Sequence, residues 1–170
     1  MSTNLITVPS QPVAFIAIDK VQGQAQMSGK ENQIDVLDWS WSKSQSIDVQ
    51  KEGGRTGQAT ASNLTFIKPV DLSTPVLARL LVKSEHVANA VLSLVKTGTG
   101  GNTDTYKLTL INVVIAKIDH GLVDQNGRFY ERVELNFEAF KSEYTQVQGG
   151  VPKGTIKSGW NFRTNAEYTG

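Results

Sequence analysis

A run of alternating apolar and polar residues in the second half of the chain limits its possible folds most strongly. The apolar positions are Val133, Leu135, Phe137 and Ala139, and the polar positions between them are Arg132, Glu134, Asn136 and Glu138. Successive side chains of an extended strand point to opposite faces, so this run predicts a strand with one face in a core. The phase changes at Ala139–Phe140, as expected for a bulge or for a strand that crosses between two sheets.

Strand signals recur along the chain between frequent turn signals. Six further segments predict strands: Val13–Asp19, Ile34–Val49, Asn63–Pro69, Ala90–Val95, Thr105–Ile118 and Ile156–Phe162. The apolar centre of Thr105–Ile118 predicts burial on both faces, and Asn126–Gly127 predicts a hairpin turn. About seven strands with frequent turns favour a mainly β fold, an antiparallel sandwich or small barrel.

One segment, about residues 74–85, has the signals of an α-helix. Asp71, Ser73 and Thr74 are candidate N-cap residues, and Pro75 suits the first helical position. Apolar residues then recur at helical spacing and form one stripe of Val76, Leu77, Leu80 and Leu81. A helix of about ten to twelve residues is marginal in isolation, so we expect it to dock on the sheet.

The length of 170 residues fits a single domain. Pro9 and Pro12 disfavour a helix or a central strand at the start. We therefore interpret residues 1–12 as a loose N-terminal arm and residues 13–170 as one mainly β domain. Long loops are predicted at 22–32, 51–57 and 149–158.

The segment with two tryptophans is the strongest candidate for a functional surface. In an extended strand the side chains of Leu37, Trp39 and Trp41 point to one face, here called inward. Those of Asp38, Ser40 and Ser42 point to the opposite, outward face. The inward residues should enter the core, and the outward residues should face water or a partner. Paired aromatic rings favour a core role because each buries a large apolar area, and a sugar-binding platform is the alternative.

Charge and hydropathy exclude several partner classes. The chain has 17 Lys and Arg against 16 Asp and Glu, a net charge of +1, which argues against a nucleic-acid partner. It has no run of 18 apolar residues, so membrane insertion is not expected. The start lacks a basic region followed by an apolar stretch, so no standard signal peptide is predicted.

No motif predicts a catalytic, cofactor or metal site. The absence of Cys excludes thiolate catalysis and Cys-ligated zinc. His86 and His120 lack a second histidine at ligand spacing. The glycine-rich strings GGRTG and TGTGG lack the phosphate-loop spacing, and Asp124–Gly127 lacks the later ligands of a calcium loop. We therefore expect neither an enzyme nor a cofactor.

A set of short strings identifies a family. In chain order they are Phe15–Asp19, Ile34–Leu37, Trp39–Trp41, Ser44–Gln45, Leu64–Lys68, Val70–Asp71, Thr74–Pro75, His86, Ala90–Leu92, Val133–Phe137, Tyr144, Gly159–Asn161 and Asn165. Together they resemble the Hcp (haemolysin-coregulated protein) family, the tube proteins of type VI secretion, over about Val13 to Asn165. Ser84-Glu85 replaces a glycine that often precedes the matching His86, and the 119–132 hairpin is more charged than in many members.

The resemblance implies a two-sheet β-barrel with one flanking helix, related to phage tail-tube proteins. It implies a homohexameric ring, and rings that stack into a hollow tube inside a contractile sheath, with a valine-glycine repeat spike at the tip. The three long loops would reach neighbouring subunits and rings. The protein would be cytoplasmic before firing and then secreted through the type VI apparatus, in keeping with the missing signal peptide.

The resemblance also implies that small effector proteins travel inside the ring. If the tryptophan strand lines the channel, Asp38, Ser40 and Ser42 would contact this cargo, and plain solvent exposure is the alternative. Two other functions stay open at this point, a phage-like tail-tube protein and a carbohydrate-binding β-sandwich module. A native mass and a sugar titration distinguish the second from a ring.

Overall fold

The computed structural model describes residues 5–47, 50 and 57–170, in which eleven strands and one helix are formed. Before the helix these are β1 (Ala14–Ile18), β2 (Ile34–Val36), β3 (Asp38–Ser40), β4 (Lys43–Ser44), β5 (Thr60–Ala61) and β6 (Leu64–Pro69). Helix α1 (Ser73–Val82) is followed by β7 (Val87–Gly98), β8 (Gly101–Val123), β9 (Phe129–Gln148), β10 (Val151–Asn161) and β11 (Ala166–Glu167). Residues 1–4 of the predicted arm and 51–56 of the predicted loop lie outside the described residues.

The strands form an antiparallel sheet that wraps around one core. Its strand order is β11-β10-β9-β8-β7-β1-β2, and β6 joins it by pairing with β9 on one side and β3 on the other. The mainly β, antiparallel prediction with one flanking helix is confirmed. The wall is not closed by a continuous hydrogen-bond ladder. At its seam β2 and β3 are joined through Leu37, whose N–H donates to the Ile67 carbonyl at 2.9 Å.

Strand β9 belongs to both layers of this wall. Its first half pairs with β6, from Tyr130 to Leu135, and its second half pairs with β10, from Ala139 onwards. The register against β8 continues unbroken through Ala139 and Phe140, and both side chains are buried. The phase change therefore marks a strand that crosses between two layers, not a bulge.

The main core is built from one face of each long strand. Side chains with no exposed surface include Ile16, Phe66, Leu92, Leu110 and Leu135. The predicted burial of the apolar centre of Thr105–Ile118, residues 111–116, on both faces is wrong. Asn112 and Ala116 are exposed, because the sheet is covered on one face only and the register shifts near Ala116.

Helix α1 docks on this sheet through Leu77 and Leu80, both buried. It ends at Val82, three residues before the predicted end. The N-cap predictions are wrong: the N-cap residue is Leu72, which makes no side-chain capping hydrogen bond, and Pro75 is the third helical residue, not the first. Asp71 lies one residue earlier, where its carboxylate accepts hydrogen bonds from the Ser73 N–H at 2.9 Å and the Ser73 hydroxyl at 2.5 Å. The prediction of one docked helix is confirmed.

A buried ionic cluster fixes the start of the helix against the sheet. Lys68 and Glu131 lie directly opposite each other on β6 and β9. The Lys68 ammonium lies 2.8 Å from Asp71 Oδ1 and 3.2 Å from the Thr74 hydroxyl, which donates to Glu131 at 2.7 Å. Nδ1 of the more exposed His120 lies 3.2 Å from Glu131 Oε2.

The described part of the N-terminal arm contacts the barrel. Ile6 and Val8 pack on a second, smaller cluster, and the Ile6 N–H donates to the Val123 carbonyl at 2.9 Å. The buried members of this cluster are Leu37, Ile67, Leu122 and Tyr130. Residues 5–8 are therefore held against the wall, while the division of the chain at residue 12 stays a prediction.

Two of the predicted loops are more ordered than the sequence indicated. The 22–32 segment is pinned to β8 by Lys30, which is 7% exposed and lies 2.7 Å from Asp104. The predicted 149–158 loop is wrong. Gly149 and Gly150 form a tight turn with φ of 59° and 80°, and strand β10 starts directly after them.

The tips of the two longest hairpins touch through their backbones. A Cβ atom on Gly100, in the β7–β8 turn, would lie 3.0 Å from the Gly150 carbonyl oxygen in the β9–β10 turn. A Cβ atom on Gly150 would lie 3.1 Å from the Thr99 hydroxyl. Residues with no side chain therefore allow this close approach.

Candidate functional site

The face of the wall that points away from the main core carries a polar surface, here called the polar outer face. It spans β3, β6, β9 and β8 and comprises Asp38, Ser40, Ser42, Asn63, Thr65, Lys117, Asp119, Arg132, Glu134 and Asn136. One row across the four strands runs Ser40, Thr65, Glu134, Lys117 in register. The neighbouring inward row, Trp39, Phe66, Val133 and Ile118, belongs to the core or packs on it.

The structure brings the three predicted cargo-contact residues onto this face. Asp38, Ser40 and Ser42 are all exposed, and Trp39 and Trp41 between them are half-buried. Their exposure agrees with strand parity, and a contact with cargo stays a prediction. The pairing partners Thr65, Glu134 and Lys117 were not predicted, because the register of three separate strands decides which residues join Ser40.

Hydrogen bonds between side chains order the centre of the polar outer face. The Asn136 amide donates to the Asn63 side-chain oxygen at 3.0 Å, and the Asn63 amide donates to Glu134 at 3.1 Å. Lys117 and Asp119 form an exposed ion pair at 3.2 Å. The face thus mixes both signs of charge with neutral donors and acceptors, and it lacks the single-sign field that attracts a polyanion.

Glu138 ties the edge of this face to the end of β10. Its carboxylate accepts hydrogen bonds from the Asn112 amide at 2.8 Å and the Asn161 amide at 3.1 Å, and it lies 3.0 Å from Arg163. The hydrogen bonds from Asn112 and Asn161, assisted by the Arg163 charge, hold the pKa of Glu138 below its usual value. Glu138 is therefore held in its charged form at this edge.

The tryptophans pack against their own chain. Trp39 stacks on Tyr106 with ring centres 6.4 Å apart, and Trp41 meets Phe140 edge-on at 5.1 Å. The Lys43 ammonium lies 4.7 Å from the centre of the Trp41 ring. Rings whose faces are occupied in this way favour the core role over a sugar-binding platform.

Leu37 enters a different cluster from the tryptophans, so the prediction of one shared inward set is wrong. Val36 is buried in the main core, whereas Leu37 is buried in the smaller cluster under the N-terminal arm. The chain leaves its pairing with β1 at Val36 and joins β6 at Asp38. Because the backbone turns at Leu37, the alternation of side chains before this corner does not continue onto the same face after it.

A separate open cavity of about 730 Å³ lies between the arm and the β8–β9 hairpin. Its lining includes Pro9, Leu37, Val70, Arg128 and Phe129, and it shares no residue with the polar outer face. Burial raises the pKa of the neighbouring Asp35 carboxyl, and the Asp71 charge raises it further.

The described residues contain neither a metal-binding cluster nor a membrane-spanning helix. In residues 5–47, 50 and 57–170, no three His, Asp or Glu side chains are grouped so that they could hold a metal ion. No helix in that part of the chain is both long and apolar enough to cross a membrane.

Comparison with known proteins gives one consistent family. Residues 15–144 match the family described as type VI secretion system effector, Hcp. Protein hcp1 of Pseudomonas aeruginosa is 32% identical over 156 residues, which are 90% of this chain and 96% of that protein. Hcp1 of Salmonella typhimurium is 28% identical, with a TM-score of 0.75 over 91% of this chain and 97% of that one. A solved type six secretion system protein, 23% identical, has the same fold with a TM-score of 0.82 over 91% and 98% of the two chains.

Proposed function

The chain belongs to the Hcp family of type VI secretion tube proteins, and from that premise we propose that it is a structural subunit of the type VI inner tube. Six copies close into a ring, and rings stack into a hollow tube that sheath contraction expels. The observation that carries this proposal is the family match over 15–144, together with 32% identity across nearly the whole chain.

Ring closure requires a heterologous contact, in which two different patches of each subunit meet around the ring. A stable contact of this type buries on the order of 800 Å² per partner. Stacking orders further loop residues at an entropic cost, so ring–ring affinity should be weaker than ring closure. We expect free hexamers in solution, with stacking favoured by high local concentration at the assembly site.

The polar outer face is the proposed lumenal surface. Ser40 lies in its β3 strand, flanked by the exposed Asp38 and Ser42. Short polar side chains leave room in a channel, and mixed charges at Lys117 and Glu134 offer contacts to many small effectors without a strong field. The proposed role toward cargo is carriage and shielding, with no chemical step.

The further proposed partners are the contractile sheath and the valine-glycine repeat spike protein. The subunit assembles in the cytoplasm and leaves the cell through the type VI apparatus. The sheath and the spike protein both contact the assembled tube, so the rings must form before either partner can bind.

Native mass spectrometry tests the ring. We expect a species of about six times the 18.5 kDa chain mass, and negative-stain images with a central hole. A monomer at high concentration, with compact particles and no hole, would contradict the proposed function.

A further inference from the structure

Strand β10 has an unpaired outer edge over most of its length. Its inner edge pairs with β9 from Val151 to Asn161, while on the outer side β11 pairs with Trp160 and Asn161 and the Tyr168 N–H donates to the Gly159 carbonyl at 3.2 Å. Within residues 5–47, 50 and 57–170, no strand pairs with the outer edge of residues 151–158. The pairing with β9 is irregular between Pro152 and Gly154 and regular afterwards.

An apolar row of side chains leads to this edge. Leu94, Tyr106, Tyr144 and Ile156 lie directly opposite one another on β7, β8, β9 and β10. The row begins at the core, where Trp39 stacks on Tyr106. It ends in solvent, because Tyr144 is 56% exposed and Ile156 is 79% exposed.

An open strand edge with an apolar face is a template for pairing with another chain. Natural edges are usually protected by irregular pairing, proline or charge. Pro152, Lys153 and the shifted register protect the start of β10 in this way. The stretch from Gly154 to Ser158 has regular pairing and places Ile156 at its middle, and five residues is a common length for a paired strand.

We propose that the outer edge of Gly154–Ser158 pairs with an extended strand of a second copy of this chain, which also covers Ile156 and Tyr144. This inference rests on the proposed ring and names the strand through which the ring closes. The partner strand is β3 with its flanking residues. Among the described residues, the edge of β3 away from β6 is also unpaired, and Asp38 on it is exposed.

Charge and symmetry favour this occupant. Lys153 on the β10 edge and Asp38 on β3 are both exposed and opposite in sign, which makes this pair complementary, whereas Lys157 already lies 2.7 Å from Glu143 of its own chain. The two edges also differ from each other, as a closed ring of identical subunits requires. Pairing would continue the apolar row of one copy into Trp39 of the next.

The first test compares two lysine substitutions by native mass spectrometry at matched concentrations. Ile156→Lys should raise the concentration needed for assembly at least about tenfold, the effect of losing one hot-spot residue. Val82→Lys is the matched control, since Val82 is 76% exposed on helix α1. It should assemble like the wild type. Wild-type-like assembly of Ile156→Lys, or equal loss in both variants, would overturn the inference.

Amide hydrogen exchange of residues 151–158 gives the second measurement. These amides should exchange slowly in the assembled wild type and rapidly in the dissociated Ile156→Lys protein, while far-ultraviolet circular dichroism and Tm show that the variant is folded. Slow exchange in the monomer would mean that the chain covers its own edge, and the inference would fail. If both the wild type and Ile156→Lys assemble, this inference alone is overturned. If the wild type is itself monomeric, the proposed ring is overturned as well.

Discussion

The ammonium of Lys68 lies 2.5 Å from Oε1 of Glu131, and neither side chain has any exposed surface. The two residues face each other across β6 and β9, and Asp71 at the start of α1 completes the cluster. Burying these charges is costly, and the cost is offset only while each charge keeps its partner. The cluster therefore fixes how the helix meets the wall.

Replacing Lys68 by Met should destabilise the protein strongly. Two carboxylates, Asp71 and Glu131, would lose their counter-charge in a buried site, at about 3–5 kcal/mol of unfolding free energy. Urea unfolding measures this loss. Lys20→Met is the control, because Lys20 is exposed and its ion pair with Glu85 should contribute at most about 1 kcal/mol. Equal effects of the two substitutions would contradict a structural role for the buried cluster.

Ser40→Gln should reduce effector retention while leaving hexamers intact. A longer side chain on the proposed lumenal surface narrows the channel at six positions per ring, if six copies assemble. A pull-down of a co-expressed effector measures retention, and native mass spectrometry confirms the ring. Ser10→Gln, at an exposed position on the N-terminal arm and outside the polar outer face, is the control. Retention by Ser40→Gln at the wild-type level would count against a lumenal Ser40.

Asp124→Asn should make the free energy of unfolding less dependent on pH in the acid range. The carboxylate accepts hydrogen bonds from the N–H groups of Arg128 and Asn126 and the Tyr130 hydroxyl. The Arg128 N–H bond, with those of Tyr130 and Asn126, lowers the pKa of Asp124 in the folded state. Because the pKa of Asp124 is lower in the folded state than in the unfolded state, ionisation of this carboxyl stabilises the fold. This contribution is fully present at pH values above the unfolded-state pKa of about 3.9, and it is lost as the pH falls through the folded-state pKa.

Urea unfolding at pH 7 and pH 3 measures this effect. The wild type should lose more unfolding free energy between the two pH values than Asp124→Asn does. An identical loss in both proteins would show that the β8–β9 turn does not contribute to the acid dependence.

Soluble oligosaccharides should leave the tryptophan fluorescence unchanged. Trp39 is stacked on Tyr106, and Trp41 contacts Phe140 and Lys43, so these contacts compete with the stacking of either ring on a sugar. A saturable quench or blue shift during a titration would revive the carbohydrate-binding alternative.

Periodicity located the long strands, the helix and the exposure of Ser40, because alternation and helical spacing are local properties of the chain. It missed the two-residue strands β5 and β11, and the single strand predicted over Ile34–Val49 is wrong, since β2, β3 and β4 are separate there. It could not find Thr65 or Glu134 beside Ser40, since strand register depends on contacts distant in sequence. The sequence does contain a signal for the buried cluster. Lys68 is two residues from Phe66, and Glu131 is two residues from Val133, so each charged side chain points to the same face of its strand as a core residue. Opposite charges at core-facing positions of two strands indicate a buried pair.

The wrong predictions have local physical causes. Glycines 149 and 150 suggested a long loop because glycine favours irregular backbone, but a two-residue turn uses the same freedom. Burial of Thr105–Ile118 on both faces was inferred from apolar residues, but a sheet with one covered face leaves the other to solvent or to a partner.

The contact between Gly100 and Gly150 at the hairpin tips has a mechanical consequence. Strands β8 and β9 already join the two hairpins through their ladder, and the glycine contact extends this link to the tips, so a push on either turn reaches all four strands. A side chain at Gly100 would require the facing backbone to move by a few tenths of an ångström, which would loosen the link at the tips alone.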